Sequence, residues 1–216
     1  MAGPHDKLIA QAAKAALGPL GFQRNGRSRL WFADHSWWLV VVEFQPSSWS
    51  KGSYLNVAAH WLWTNIGAIS FDFGGRLEAF VEYSSDEQFA AAAARLAASA
   101  GEEVQRLTTM FSSLSATANI ILMEARTQAS QAAGHPGWMA YNAGVAAGLV
   151  GRTGEAVEKF ESILEGAVDP NSALHRAAER MSKLALDPAG LEREVFSIIQ
   201  QRRKALALPP LDASPF

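Results

Sequence analysis

The chain has 216 residues, of which 49% are hydrophobic and 19% charged, with a formal net charge of −2. Such a composition supports a buried core and excludes overall disorder, and the missing basic excess argues against a dedicated nucleic-acid binder. No cysteine is present, which excludes disulfides, thiolate nucleophiles, iron–sulfur clusters and zinc–thiolate sites.

In chain order, Leu8, Ala12, Ala16 and Leu20 recur at helical spacing, so a helix is expected over residues 5–17, ended by Gly18, Pro19 and Gly21. Gly26 marks a turn before a strand over 29–33, and Asp34-His35-Ser36 reads as a tight turn. A second strand is expected over 37–45, a loop over 46–52 and a third strand over 53–63. A short fourth strand follows over 76–83, after Phe73-Gly74-Gly75. Six of the seven tryptophans lie between positions 31 and 63, whereas alanine dominates later, which predicts strands early and helices late.

The register of the central hairpin follows from side-chain alternation. Trp38, Val40, Val42 and Phe44 share a face with Leu55, Val57, Ala59, Trp61 and Trp63, and this wholly apolar face is expected to be the core side. A slip of one residue would destroy the match. The opposite face carries Trp37, Leu39, Val41, Glu43 and Gln45 beside Tyr54, Asn56, Ala58, His60 and Leu62, apolar at one end and polar at the other.

Ser84-Ser85-Asp86 with Glu87 and Gln88 is a helix start, and the helix is expected to run to about residue 114 with a break near Gly101. Further helices are expected over 116–133, 138–150, 154–165, 172–185 and 191–206, punctuated by Asp169-Pro170 and Asp187-Pro188. The proline-rich residues 208–216 read as a mobile tail. The organisation expected is an α+β domain over 1–114, a helical subdomain over 115–207 and the tail. The α+β domain combines an N-terminal helix with an antiparallel sheet of three or four strands, covered by the long helix. There is no apolar run of membrane-span length, and the first residues lack the apolar block of a signal peptide, so the reading is a soluble cytoplasmic protein without a membrane partner.

Leu20-Gly21-Phe22 with Arg24, Gly26 and Trp31, then Phe44-Gln45-Pro46-Ser47-Ser48-Trp49 and Tyr54-Leu55-Asn56-Val57, occur in an order that resembles a bacterial family known as domain of unknown function 4304. Arg76 matches an arginine that recurs in that family. The resemblance covers roughly the first hundred residues and implies an α+β domain, with no activity to carry over. Residues 140–170 are similar to a single tetratricopeptide unit, with Asn142 and Gly144 on the first helix, Gly151 at the turn and Ala156, Phe160 and Leu164 on the second. No second copy follows, so a plain helical hairpin is the expectation.

Chemistry-bearing residues gather at the polar end of the mixed sheet face: Glu43, Gln45, Tyr54, Asn56 and His60. Three readings of them stand side by side. They are sheet residues bonded to loops and water, or they recognise a polar ligand with Trp37 as a stacking wall, or Glu43 and His60 form an acid–base pair. The loop from Pro46 to Lys51 offers Trp49 either as a binding anchor or as a cap folded over the sheet edge. Arg24, Arg27, Arg29 and Arg76 form the basic grouping near the sheet, opposed by Asp34, Asp72 and Glu78.

His5, His35, His60, His135 and His175 show no metal-ligand spacing, and neither a phosphate loop nor a nucleophile elbow occurs, so no metal or cofactor is implied. The leading functional reading is a non-enzymatic binding or protein-interaction module with a regulatory or toxin-neutralising role. Its candidate contact residues are Trp37, Gln45, Trp49, Tyr54, Asn56 and Arg76, its partner is a protein or a small polar ligand, and a homodimer would hide any apolar face that the helical part leaves open. The rival is an enzyme on a polar small molecule or nucleotide, with Glu43 and His60 as the acid–base pair.

Overall fold

The structure, a computed structural model, describes residues 3–131 and 137–216. His135 and the end of the helix expected over 116–133 lie outside the described residues. The chain order is α1 (Pro4–Leu17), β1 (Gln23–Arg24), β2 (Leu30–Asp34), β3 (Trp38–Glu43), β4 (Gly52–Trp61), β5 (Phe73–Glu82) and α2 (Asp86–Met110), followed by α3 (Leu114–Gln131), α4 (Trp138–Leu149), α5 (Thr153–Leu164), α6 (Ala173–Ser182) and α7 (Pro188–Ala205). This is the α+β architecture read from the sequence: an N-terminal helix, an antiparallel sheet covered by a long helix, and an all-helical C-terminal region.

The chain divides into two compact units. One comprises Met1–His60 and Ile69–Thr109, the other Trp61–Ala68 and Met110–Phe216.

In the first unit the strands lie in the order β1-β2-β3-β4-β5. Four are the strands expected, and the two-residue β1 adds an edge by pairing Gln23 with Phe32 and Arg24 with Trp31. It is too short to show alternation, which is why periodicity does not reveal it. β5 begins at Phe73, three residues before the expected start, because Gly74 and Gly75 are part of the strand, Gly74 opposite Ala58 and Gly75 opposite Val57. Gly52 opens β4 with φ +152°, and a Cβ there would collide with the Val81 carbonyl. Only glycine fits that approach.

α1 ends as expected at Gly18, after burying Ile9, Ala13 and Leu17 along one stripe. α2 runs through Gly101 without a break and buries Phe89, Ala92, Ala93, Leu96, Ala97, Ala100, Val104 and Leu107. That spacing of three and four puts one apolar face toward the sheet. Ser99 Oγ on α2 donates to Glu78 Oε1 of β5 at 3.1 Å.

The second unit is built around α4, whose residues Ala140 to Gly148 are all buried. A helix apolar all round belongs at the centre of a bundle, and α4 contacts α3, α5, α6 and α7. Trp61 and Trp63 belong to this unit; they stack at 5.5 Å, and Phe111 meets Trp61 edge-on at 5.0 Å. α7 starts at Pro188, ahead of the expected 191, because proline suits the first helical turn and Asp187 Oδ1 accepts from Gly190 N. At the start of residues 208–216, expected as a mobile tail, Arg203 Nε of α7 donates to the Pro209 carbonyl, and Gln200 exchanges two hydrogen bonds with the Leu211 backbone.

α4 and α5 approach closely at Gly144, where a Cβ would stand 2.7 Å from the fully buried Phe160 ring. A Gly→Ala change in an open helix gains up to about 1 kcal/mol. Here the sign reverses, and Gly144→Ala is expected to cost about 1–3 kcal/mol by overpacking, read as a lower urea midpoint at unchanged slope.

Candidate functional site

β3 is buried on both faces from Trp38 to Val42, and nearly all of β4 is buried. The second sheet face is therefore covered along its apolar length, and polar groups reach solvent only at the end where Glu43, Gln45 and Tyr54 stand half-buried. The register read from alternation places Glu43, Gln45 and Asn56 on one face, and their hydrogen bonds join them there. Asn56 Nδ2 donates to Glu43 Oε2 at 2.9 Å and to Gln45 Oε1 at 3.1 Å.

Arg76 completes the group, because β5 pairs Arg76 with Asn56. Its Nε donates to Asn56 Oδ1 at 3.0 Å and its Nη2 to Gln45 Oε1 at 2.6 Å. The guanidinium lies 3.8 Å above the Tyr54 ring, a cation–π contact, and Phe80 flanks Tyr54 at 4.9 Å. Phe80 was not among the sequence candidates. It stands four residues from Arg76 on β5, an even spacing, and the two register shifts between Ser53 and Asn56 leave it beside Tyr54.

Trp49 stands on the loop between β3 and β4 and is 93% exposed. Its backbone N–H donates to Ser47 Oγ at 3.1 Å, and the indole projects into solvent. The indole is not folded over the sheet edge as a cap.

Two candidates are placed elsewhere. Trp37 is buried, with its ring 6.0 Å from Trp38, and forms no open wall for a ligand. His60 is fully buried, with Nδ1 2.9 Å from Ser70 Oγ and 3.0 Å from Asp72 Oδ2, while Ser70 Oγ donates to Asp72 Oδ1 at 2.8 Å. The two ends of the 61–69 excursion are thereby pinned together. Glu43 is bound instead to Asn56, four residues from His60 along β4, about 13 Å at the usual strand rise. The Glu43–His60 acid–base pair is not assembled, because alternation gives a shared face but not a shared position along it.

A cleft of about 580 Å³ adjoins the polar end, lined by His5, Asp6, Arg27, Arg29, Glu43 and Pro46 among others. Arg29 is not available to a ligand there: Nε donates to Asp6 Oδ1 at 2.7 Å, Nη2 also meets that oxygen, and Nη1 donates to the Gly52 carbonyl at 2.9 Å. Arg24 likewise donates to the carbonyls of Ser28 and Arg27 in its own loop. Arg24, Arg29 and Arg76 are thus engaged in structure, whereas Arg27 contributes only its backbone carbonyl to these bonds. Among the described residues there is no group of three or more His, Asp or Glu side chains able to hold a metal ion, and no helix long and apolar enough to cross a membrane.

Comparison of the chain with protein-family models, with curated proteins and with solved structures finds no match in any of the three.

Two tests address the links that shape this end of the sheet. Asn56→Leu removes three hydrogen bonds and leaves Glu43 and Arg76 without their shared partner, so stability is expected to fall by about 1–3 kcal/mol in urea unfolding. For Asp6, burial raises the carboxyl pKa, but Arg29 and the Gly3 amide outweigh burial and hold it below the ordinary value. A folded-state value below the unfolded one stabilises the protein above the unfolded pKa, near 3.9, and this contribution disappears as pH falls through the folded value. Asp6→Asn is accordingly expected to cost about 1–2 kcal/mol at pH 7 and nothing below the folded pKa, measured by unfolding at each pH.

Proposed function

We propose that the chain is a non-enzymatic binding module whose first unit docks a protein partner through Trp49 and the outer end of the sheet. One observation carries this reading: an indole 93% exposed on the loop between β3 and β4. Burying such a ring removes roughly 150–250 Å² from water, and a rigid aromatic anchor is the residue type that dominates interface energetics. Arg76, Tyr54 and Phe80 offer an adjoining cationic and aromatic surface, which suits a partner presenting an acidic group beside an apolar pocket.

A protein partner is favoured over a small polar ligand at this face, because the Asn56 amide already bonds Glu43, Gln45 and Arg76. A small ligand would have to break that network to use it. A regulatory role, including neutralisation of a toxin by covering its working surface, is the task we assign by analogy.

The kinship of the first hundred or so residues with the domain of unknown function 4304 family is likewise a proposal. The order of the Leu20-Gly21-Phe22, Phe44–Trp49 and Tyr54–Val57 motifs supports it, as does Gly21 at φ +81°, a conformation that favours glycine. The Gly144–Phe160 approach and Gly151 at φ +76° support a tetratricopeptide-like hairpin for α4 and α5.

Affinity capture with the full chain, run beside Trp49→Ala, tests the docking surface. The variant is expected to fold unchanged and to weaken partner binding by about 2 kcal/mol, roughly thirtyfold. Equal retention of every captured protein by both forms would sink the proposal. Sedimentation of both forms reports whether the occupant is a second copy.

A further inference from the structure

The second unit encloses a pocket of about 260 Å³ between α4, α6 and α7, independent of the surface around Trp49. Its wall includes Trp138, Tyr141, Met181 and Ile198, and Arg176 and Arg180 stand at its rim. Trp138 meets Tyr141 edge-on at 5.3 Å, giving an aromatic corner. Met181 is fully buried and Ile198 nearly so, giving an apolar floor.

The polar groups of this pocket are unequally engaged. Tyr141 is only 1% exposed, yet its hydroxyl makes no hydrogen bond among the described residues. The hydroxyl is not sealed from solvent, so an acceptor on a ligand in the pocket can reach it. Burial raises the phenol pKa, with Glu194 adding to the rise and Arg180 opposing it, so the group remains a protonated donor at neutral pH. Arg180 Nη1 donates to Glu194 Oε1 at 3.0 Å, and Arg176 Nη1 donates to the Asn171 carbonyl. Each guanidinium keeps further N–H groups beyond those bonds. Two guanidinium cations against the Glu194 carboxylate leave one net positive charge at the rim.

We propose that this pocket binds a small aromatic carboxylate, its ring lodged against Trp138, Met181 and Ile198 and its acid group held by Arg176, Arg180 and the Tyr141 hydroxyl. The single net positive charge matches a monoanion better than a dianionic phosphate. Guanidinium groups and a phenol donor match the two oxygens of a carboxylate. The volume lies below the roughly 300 Å³ at which pockets for drug-sized ligands begin, which fits one ring with a short acid arm.

The test uses the full chain and three probes, benzoate, phenylacetate and indole-3-carboxylate, each beside its neutral amide, with dissociation constants read by saturation-transfer NMR. At least one carboxylate is expected to bind at about 1 mM or tighter, its amide about tenfold more weakly. Arg176→Ala/Arg180→Ala changes two solvent-facing side chains and should fold normally, yet weaken the carboxylate about tenfold or more. Tyr141→Phe should weaken it several-fold without loss of melting temperature, since the lost hydroxyl has no partner in the free protein. The proposal is overturned if no carboxylate binds by about 10 mM, if an amide binds as well as its acid, or if the double-arginine variant binds like the wild type.

Discussion

The first unit depends on the burial of β3 from both sides. Val40, Val41 and Val42 are fully buried in succession, although neighbours in a strand point to opposite faces. A strand covered on both faces cannot tolerate an unpaired polar side chain along its length. The polar residues of the hairpin are therefore displaced to one end, where Glu43 and Gln45 leave the covered region. Asn56 is the exception that fits the same constraint. It is 6% exposed, and all of its contacts are to groups that can satisfy it.

That constraint also accounts for what the sequence discloses and what it hides. Alternation is local, so the faces of β3 and β4 could be read from Trp38 to Phe44 and from Tyr54 to Ala59, and the Glu43–Gln45–Asn56 cluster with them. What covers a face is not local. His60 has the alternation of an outward-facing residue but is fully buried against Ser70 and Asp72, and Trp37 is buried rather than open. Trp61 and Trp63 continue the apolar pattern of β4 in the sequence yet count with the second unit, because the strand ends at Trp61. No periodicity distinguishes a tryptophan in one core from a tryptophan in another.

In the helical unit the legible signals were small residues and caps. Gly144, Gly151 and Ala156 mark a close helix pair, and the Asp187-Pro188 step marks the start of α7. Arg176 and Arg180 lie one turn apart, and nothing in the sequence sets them apart from an ordinary solvated face. Their significance comes from Tyr141, 35 residues earlier, which the bundle brings into the same pocket wall. Helices α4, α6 and α7 define that wall, with α5 intervening in the chain between α4 and α6, and no local pattern encodes such a meeting.

The two surfaces differ in how their hydrogen-bonding capacity is used, and that difference decides what each can recognise. At the end of the sheet, Asn56, Gln45 and Arg76 bond one another, so the network is rigid and offers shape and charge rather than vacant donors. In the proposed docking, affinity there would come from apolar area, which the exposed Trp49 offers. In the helical pocket the relation is inverted. Little apolar area is available in 260 Å³, but a buried phenol lacks an acceptor and two guanidinium groups retain donors. On the binding proposed for this pocket, a partner that adds no acceptor gains little, whereas a carboxylate gives the Tyr141 hydroxyl and the two guanidinium groups an acceptor. On these two proposals, specificity at the first surface is geometric and at the second chemical: removing the acid from the ligand would abolish most of its advantage while leaving its shape intact.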